Sequence, residues 1–256
     1  MKNPWLTIVT ITKDDPLGLA RTLASTAAFR RAGVEHLVVD GTAGAPAAAE
    51  SEAPRPDGVR VLRRPARGIA DALNAGIASA RGEWVWCLNG GDSVDPRLTP
   101  EFLAALLAND RAELVIGGTT YEGEAGPRPH PPVFLRWPPF RSWIPHPSTL
   151  VRRHLFEQFG LFDERYSIAM DYEWWLRVIP TGVAVDVISV PLAVFAPGGL
   201  SQRPDTLPVL LREQRDALRR HQGALGRGWA AVSARLLRAW GRAAFARRLG
   251  KPSAAR

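Results

Sequence analysis

Cysteine is almost missing from this 256-residue chain, and its single thiol, Cys87, excludes both a disulfide framework and any paired-cysteine metal site. Long apolar runs are missing too. No stretch approaches the ~18 apolar residues of a membrane-crossing helix. The opening MKNPWLTIVTITKDD meets acids before a signal-peptide-like run develops. These absences predict a soluble chain in a reducing compartment, cytoplasmic or peripheral on the inner face of a membrane. There is no internal repeat and no low-complexity tract. The composition, 46% hydrophobic and 23% charged, excludes disorder as the main state and supplies enough apolar residues for one large core or two small ones.

Charge is present in excess of one sign, but only locally. The chain carries a formal +8, yet residues 203–256 hold thirteen Lys and Arg against Asp205, Glu213 and Asp216, a net +10 that leaves −2 for residues 1–202. We therefore expect two parts, a nearly neutral body over 1–202 and a basic helical extension over 203–256. In the extension Trp229, Val232, Leu236 and Trp240 fall within about 80° of helical arc, opposite Arg235, Arg238 and Arg242. Such a helix suits a partner, the chain's own body or an anionic membrane surface. With a neutral body and no recognised motif, nucleic acid is not expected as a partner.

The body alternates short β-branched runs with helical ones. Strands are expected at Leu6–Ile11, His36–Val39, Val59–Leu62, Trp84–Leu88 and Glu113–Ile116, with helices at Leu17–Phe29, Ile69–Ala80 and Leu98–Ala108 between them. Repeated βα units predict an α/β fold with a mostly parallel central sheet flanked by helices, whose ligands lie beyond the carboxyl ends of the strands. Gly and Pro crowd Gly117–Pro147, read as a long irregular segment around His130, Trp137, Trp143 and His146. Helices at Arg153–Phe159 and Asp171–Ile179 and strands at Val183–Val187 and Pro191–Phe195 complete the body.

Three acids fall where such a sheet presents ligands: Asp40, Asp92 and Asp171. Asp92 follows Asn89-Gly90-Gly91, whose glycines let backbone approach a bulky ligand, and a hard oxygen there suits Mg2+ or Mn2+ against a diphosphate. Asp171 and Glu173 are about 200° apart around a helix and do not share a face. Cys87, inside an apolar strand, and Trp175 are expected in the core.

Six segments in order, TIVTIT (Thr7–Thr12), VDGT (Val39–Thr42), GIADALNAG (Gly68–Gly76), ARGE (Ala80–Glu83), LNGGD (Leu88–Asp92) and AMDYEWWLR (Ala169–Arg177), resemble the motifs of family 2 glycosyltransferases over residues 4–200. The resemblance is strongest to bacterial members that build cell-surface or lipid-linked glycans. It implies a GT-A fold and an inverting transfer from a nucleotide-diphosphate sugar to a hydroxyl of a glycan or lipid-linked acceptor, with Mg2+ or Mn2+ as cofactor. Carried over by position, Thr10, Thr12 and Asp40 line the nucleoside pocket, while Arg67, Asp71, Asn89 and Gly91 attend the diphosphate and donor sugar. Asp92 binds the metal, Asp171 is the general base, and His146 meets the acceptor. Beside the resemblance, Trp143 and Trp174 offer flat aromatic faces on which a sugar ring stacks, and with Glu173, two residues beyond Asp171, they are the further acceptor-side candidates. The chain departs from the pattern after Asp40, where GTAGAP lacks the usual second acid, and at Gly90 and Gly91, where relatives place a further Asp. Two other readings share an α/β sheet: a nucleotidyltransferase making an activated sugar, and a non-catalytic sugar- or nucleotide-binding protein. The first ordinarily carries a glycine-rich phosphate loop after its first strand, where this chain has Thr12-Lys-Asp-Asp-Pro16.

Overall fold

The strand that opens the fold, β1 (Leu6–Thr12), is buried from Leu6 to Thr10, as a central strand covered on both faces must be. The structure is a computed structural model describing residues 3–43, 58–123, 126–132, 134 and 144–222. After β1 come α1 (Pro16–Ser25), α2 (Ala27–Arg31), β2 (Glu35–Asp40), β3 (Val59–Arg63), α3 (Ile69–Ser79), β4 (Trp84–Cys87), β5 (Ser93–Val94) and α4 (Pro100–Leu107). The second half holds β6 (Leu114–Tyr121), β7 (Arg128–His130), β8 (Thr149–Arg152), α5 (Arg153–Phe159), α6 (Met170–Val178), β9 (Val185–Phe195) and α7 (Leu207–His221).

Local chemistry sets the helix starts. Asp15 accepts a hydrogen bond from the Gly18 N–H at 2.8 Å with Pro16 as the first helical residue, and Thr99 does the same for Phe102 at 3.2 Å ahead of Pro100. The single helix expected over Leu17–Phe29 is two, meeting at Thr26, whose hydroxyl bonds back to the Thr22 and Leu23 carbonyls at 3.2 Å each and also meets His36 Nδ1 at 3.0 Å.

The strands form one sheet in the order β3-β2-β1-β4-β8-β6-β9-β5, with β7 on the outer part of β6. The α/β architecture holds, with a refinement: β3, β2, β1 and β4 are mutually parallel, and the sheet is mixed beyond them because β8 runs antiparallel to both β4 and β6. β8 reads only Thr-Leu-Val-Arg, too short for a periodic signal. β6 and β7 also occupy part of the segment expected to be irregular. Gly117 lies inside β6 because the neighbouring β9 crosses it closely: a Cβ there would sit 2.4 Å from Leu192 Cγ. The two late strands expected separately are one continuous β9, joined to β6 across an irregular register near Gly118.

Apolar side chains fill both faces. Val9, Leu73, Ile77, Val85, Leu114, Trp174 and Trp175 share one cluster, and Ile8, Phe29, Trp86, Leu103, Val115 and Leu150 share the other. Burial of Cys87 and Trp175 in the core agrees with expectation, and burial pushes the Cys87 thiol well up. Residue 202 does not mark a break in packing: α7, beyond it, places Ala217 and Leu218 in the cluster that holds α6. The amphipathic stretch at 229–242 lies outside the described residues.

Candidate active site

Parallel pairing brings the carboxyl ends of three strands together. Thr12 is the register partner of Asp40, Gly41 N–H donates to Thr12 O at 2.9 Å, and Gly90 N–H donates to Ile11 O at 3.0 Å. This places the ends of β1 and β2 and the Asn89–Asp92 turn after β4 on one edge, where open α/β sheets bind ligands. Asp40 is partly buried and steadied by the Thr42 N–H at 2.9 Å, with Arg63 Nε 3.9 Å away. Asp71, in the first turn of α3, bonds Arg64 at 2.8 Å through Oδ1 and leaves Oδ2 buried without a partner. Arg67, just ahead of α3, is exposed. Thr10, by contrast, is a correction: its side chain is fully buried, bonded to His36 Nε2 at 2.9 Å and donating to Leu88 O at 2.7 Å, because β1 is covered on both faces. It belongs to the core.

The Asn89–Asp92 turn is held by a hydroxyl the sequence did not single out. Thr22 Oγ1, on α1, accepts the Gly91 N–H at 3.0 Å and donates to Asp92 O at 2.6 Å. Gly91 has φ +98°, a conformation glycine adopts without strain. Asp92 is 3% exposed; its Oδ1 accepts the Ala196 N–H at 2.9 Å, and its Oδ2 takes no hydrogen bond among the described residues. Burial raises its pKa to about 7 against the Ala196 bond and the charge of Arg21, which pull it down, while Glu122 adds to the rise. Arg21 and Glu122 form a two-pronged pair at 2.8 and 2.6 Å, another feature with no sequence signal, since Glu122 lies in the segment read as irregular.

Among the described residues no cluster of three or more His, Cys, Asp or Glu could cage a metal. The residues fit a different demand. Mg2+ and Mn2+ favour oxygen ligands, Mg2+ is commonly held by one or two carboxylates plus substrate phosphates, and here one turn holds both the buried Asp92 carboxylate, whose Oδ2 takes no hydrogen bond among the described residues, and Asn89, whose Oδ1 is buried and has no partner among them.

Asp171 occupies the first turn of α6, partly buried. Burial lifts its pKa to about 6, only partly offset by the Tyr172 N–H bonded to Oδ1 at 2.7 Å. The acceptor-side expectations divide. His146, in a one-turn 3-10 helix over His146–Ser148, packs its ring 5.7 Å from Phe162 and leaves Nε2 buried and unpartnered; burial lowers its pKa to about 4, so it is neutral at pH 7. Trp174 is corrected to a core residue, fully buried against Phe156 at 4.7 Å with its indole N–H on Gly160 O at 2.8 Å. Glu173 is likewise corrected: buried at 3% exposed, its carboxylate is taken up by Arg177 at 2.9 Å and His221 at 2.8 Å. Both point inward because α6 is covered by α5 residues on one side and by α7 on another. Trp143 lies outside the described residues. Asn74 proves to be a clamp, exchanging hydrogen bonds with the Phe162 backbone at 2.9 and 3.0 Å and so tying α3 to the chain that leads into α6.

A half-parallel sheet carrying an acid-bearing turn beyond β4, with a late helix packed against it, is the architecture of the GT-A fold. Among solved structures the chain superposes on Staphylococcus aureus TarS with a TM-score of 0.61 at 16% identity, covering 84% of this chain and 65% of that one. A Pyrobaculum calidifontis mannosyltransferase in complex with GDP-Man and Mn2+ gives 0.55 at 20% identity, covering 96% and 81%. The profile described as Glycosyl transferase family 2 matches residues 7–166, and the chain belongs to that family. A Mycobacterium tuberculosis glycosyltransferase is 28% identical over 68% of each chain, and the O-antigen biosynthesis protein RfbC of Myxococcus xanthus is 29% identical over 75% of this chain and 16% of its own. The chain thus spans 68% of the first of these relatives, and 65% of the TarS 1–349 chain but 39% of the longer TarS chain. No helix among the described residues is long and apolar enough to cross a membrane.

Proposed function

We propose that this glycosyltransferase moves a sugar from a nucleotide-diphosphate donor, with inversion, to a hydroxyl of a cell-surface glycan or lipid-linked acceptor. The observation that carries this reading is Asp171, a partly buried carboxylate on a rigid helix whose raised pKa suits proton acceptance near neutrality. Asp171 takes the acceptor hydroxyl's proton as that oxygen bonds to the anomeric carbon, and the bond from that carbon to the diphosphate breaks with its electron pair leaving on the phosphate. Thr12 and Asp40 bind the nucleoside, Arg67 and Asp71 the diphosphate or donor sugar, and His146 the acceptor. Asp92 and Asn89 hold Mg2+ or Mn2+, which when bound neutralises charge on the departing diphosphate. TarS bound to UDP-GlcNAc and the mannosyltransferase with GDP-Man support the donor class, and RfbC supports the glycan class of acceptor. The basic stretch at 229–242 is the part proposed to meet an anionic membrane surface, tested by flotation with phosphatidylglycerol vesicles.

The test is a thermal-shift screen of UDP-, GDP- and dTDP-sugars with Mn2+, Mg2+ or EDTA, since a ligand binding only the folded state raises apparent stability. Stabilisation by one nucleotide class that needs metal in the wild type and disappears in Asp92→Ala is expected. No shift with any donor overturns the donor assignment, and an unchanged shift in Asp92→Ala removes Asp92 from the metal site.

A further inference from the structure

Helix α6 has no side chain of its own capping its start: its N-cap is Ala169. The donors ahead of it are satisfied from another helix instead. Glu213, 7% exposed on α7, accepts the Ser167 N–H at 2.9 Å and the Ser167 hydroxyl at 2.6 Å on Oε1, and the Ile168 and Ala169 N–H groups at 2.9 Å each on Oε2. All four bonds converge on the three residues that end two positions before Asp171. Two other contacts of α7 touch none of residues 167–169: Tyr166 donates to Asp216 at 2.8 Å, and His221 meets Glu173 at 2.8 Å.

We propose that Glu213 is a positioning residue for the transfer reaction, its carboxylate locking backbone 167–169 so that Asp171 is aimed at the acceptor oxygen, which makes α7 part of the catalytic unit. The inference rests on the reading of Asp171 as the base. A carboxylate is suited to the task because it presents four acceptor sites and no donor, and the segment offers three N–H groups and one hydroxyl. Burial alone would push the Glu213 pKa up; the four hydrogen bonds outweigh it and hold the group below the usual range, so the charged, all-acceptor form is the one present near neutrality. An amide of the same shape cannot substitute. Glu213→Gln keeps one accepting oxygen and turns an NH2 toward N–H donors, freeing the first turn of α6.

The test uses the full chain and four variants, Glu213→Gln, Glu213→Asp, Asp216→Asn and Asp171→Asn. Two readouts are followed beside the melting temperature: release of nucleoside diphosphate from UDP-GlcNAc and GDP-mannose with Mn2+, and the titration midpoint of the Asp171 carboxyl by 13C NMR, assigned by its disappearance in Asp171→Asn. We expect Glu213→Gln to lose about tenfold or more in kcat with donor KM within about twofold, a misplacement effect rather than a binding one. Its Asp171 midpoint should fall, because a loosened helix start hydrates the carboxylate. Glu213→Asp should recover part of both, and Asp216→Asn should lower the melting temperature while leaving both near wild type. A folded Glu213→Gln with an unchanged Asp171 midpoint overturns the proposal, whether or not either sugar nucleotide is turned over. Full turnover by Asp171→Asn overturns the base assignment and the positioning role together; an inactive Asp171→Asn beside an unaffected Glu213→Gln overturns only the latter.

Discussion

Replacing Asp171 by Asn should stabilise the protein while stopping the reaction, and the structure sets the size of the gain. The carboxyl titrates near 6 when folded and near 3.8 when exposed, so its folded-state pKa is raised. A carboxyl shifted this way favours the fold while protonated, below its unfolded pKa, and that contribution is lost as pH rises through the folded value. The difference of about two units corresponds to a ceiling of about 3 kcal/mol at pH ~8, of which about 1.4 kcal/mol develops between pH ~5 and pH ~8. Asn keeps an oxygen for the Tyr172 N–H and has no charge to desolvate. In urea unfolding the variant should gain on the wild type by about 1.4 kcal/mol between the two pH values, while losing transfer but not donor binding. A wild-type-to-variant gap equal at both pH values would refute the reasoning that this carboxylate is held under desolvation, and with it the account of its basicity.

Three other perturbations probe the framework around it. Gly76→Ala would place a Cβ 2.3 Å from Val9 Cγ1 and 3.2 Å from Val39 Cγ2, where α3 packs on β1 and β2, and should cost about 1–3 kcal/mol by denaturant unfolding, an unchanged midpoint contradicting the packing. Thr22→Val keeps the shape but strands the Gly91 N–H and Asp92 carbonyl; it should cost about 1–3 kcal/mol and weaken metal-dependent donor binding in calorimetry. His36, held neutral between Thr10 and Thr26 with its pKa driven to about 3 by burial and then by Arg30, contributes stability above pH ~6.5 that is lost as pH falls toward 3. His36→Gln should flatten that acid slope in pH-dependent unfolding, and an unaltered slope would assign it elsewhere.

Much of the first half was legible because parallel βα units write their pattern locally: β1, β2, β3, α3 and β4 lie within a residue or two of where apolar periodicity put them. The turn acids were readable for the same reason, since strand ends are local. What escaped were features made by crossings. β8 is four residues that matter only because they fit between β4 and β6, and Gly117 reads as a loop signal until Leu192 is seen against it. The acceptor side was read least well. Trp174 and Glu173 share a motif with Asp171, but the side of a nine-residue helix that faces outward is decided by what covers it, and α7 comes from a stretch that composition assigned to a basic extension. Glu213 itself looked like one of three stray acids in that extension.

β9 begins shortly after the helix that carries Asp171 and runs unbroken to Phe195; the next residue, Ala196, gives its N–H to Asp92. One short length of polypeptide therefore spans the two carboxylates assigned to opposite ends of the bond being exchanged, with a continuous strand as its ruler. A shift in the register of β9 against β6 would therefore be felt at Asp92 through the Ala196 N–H.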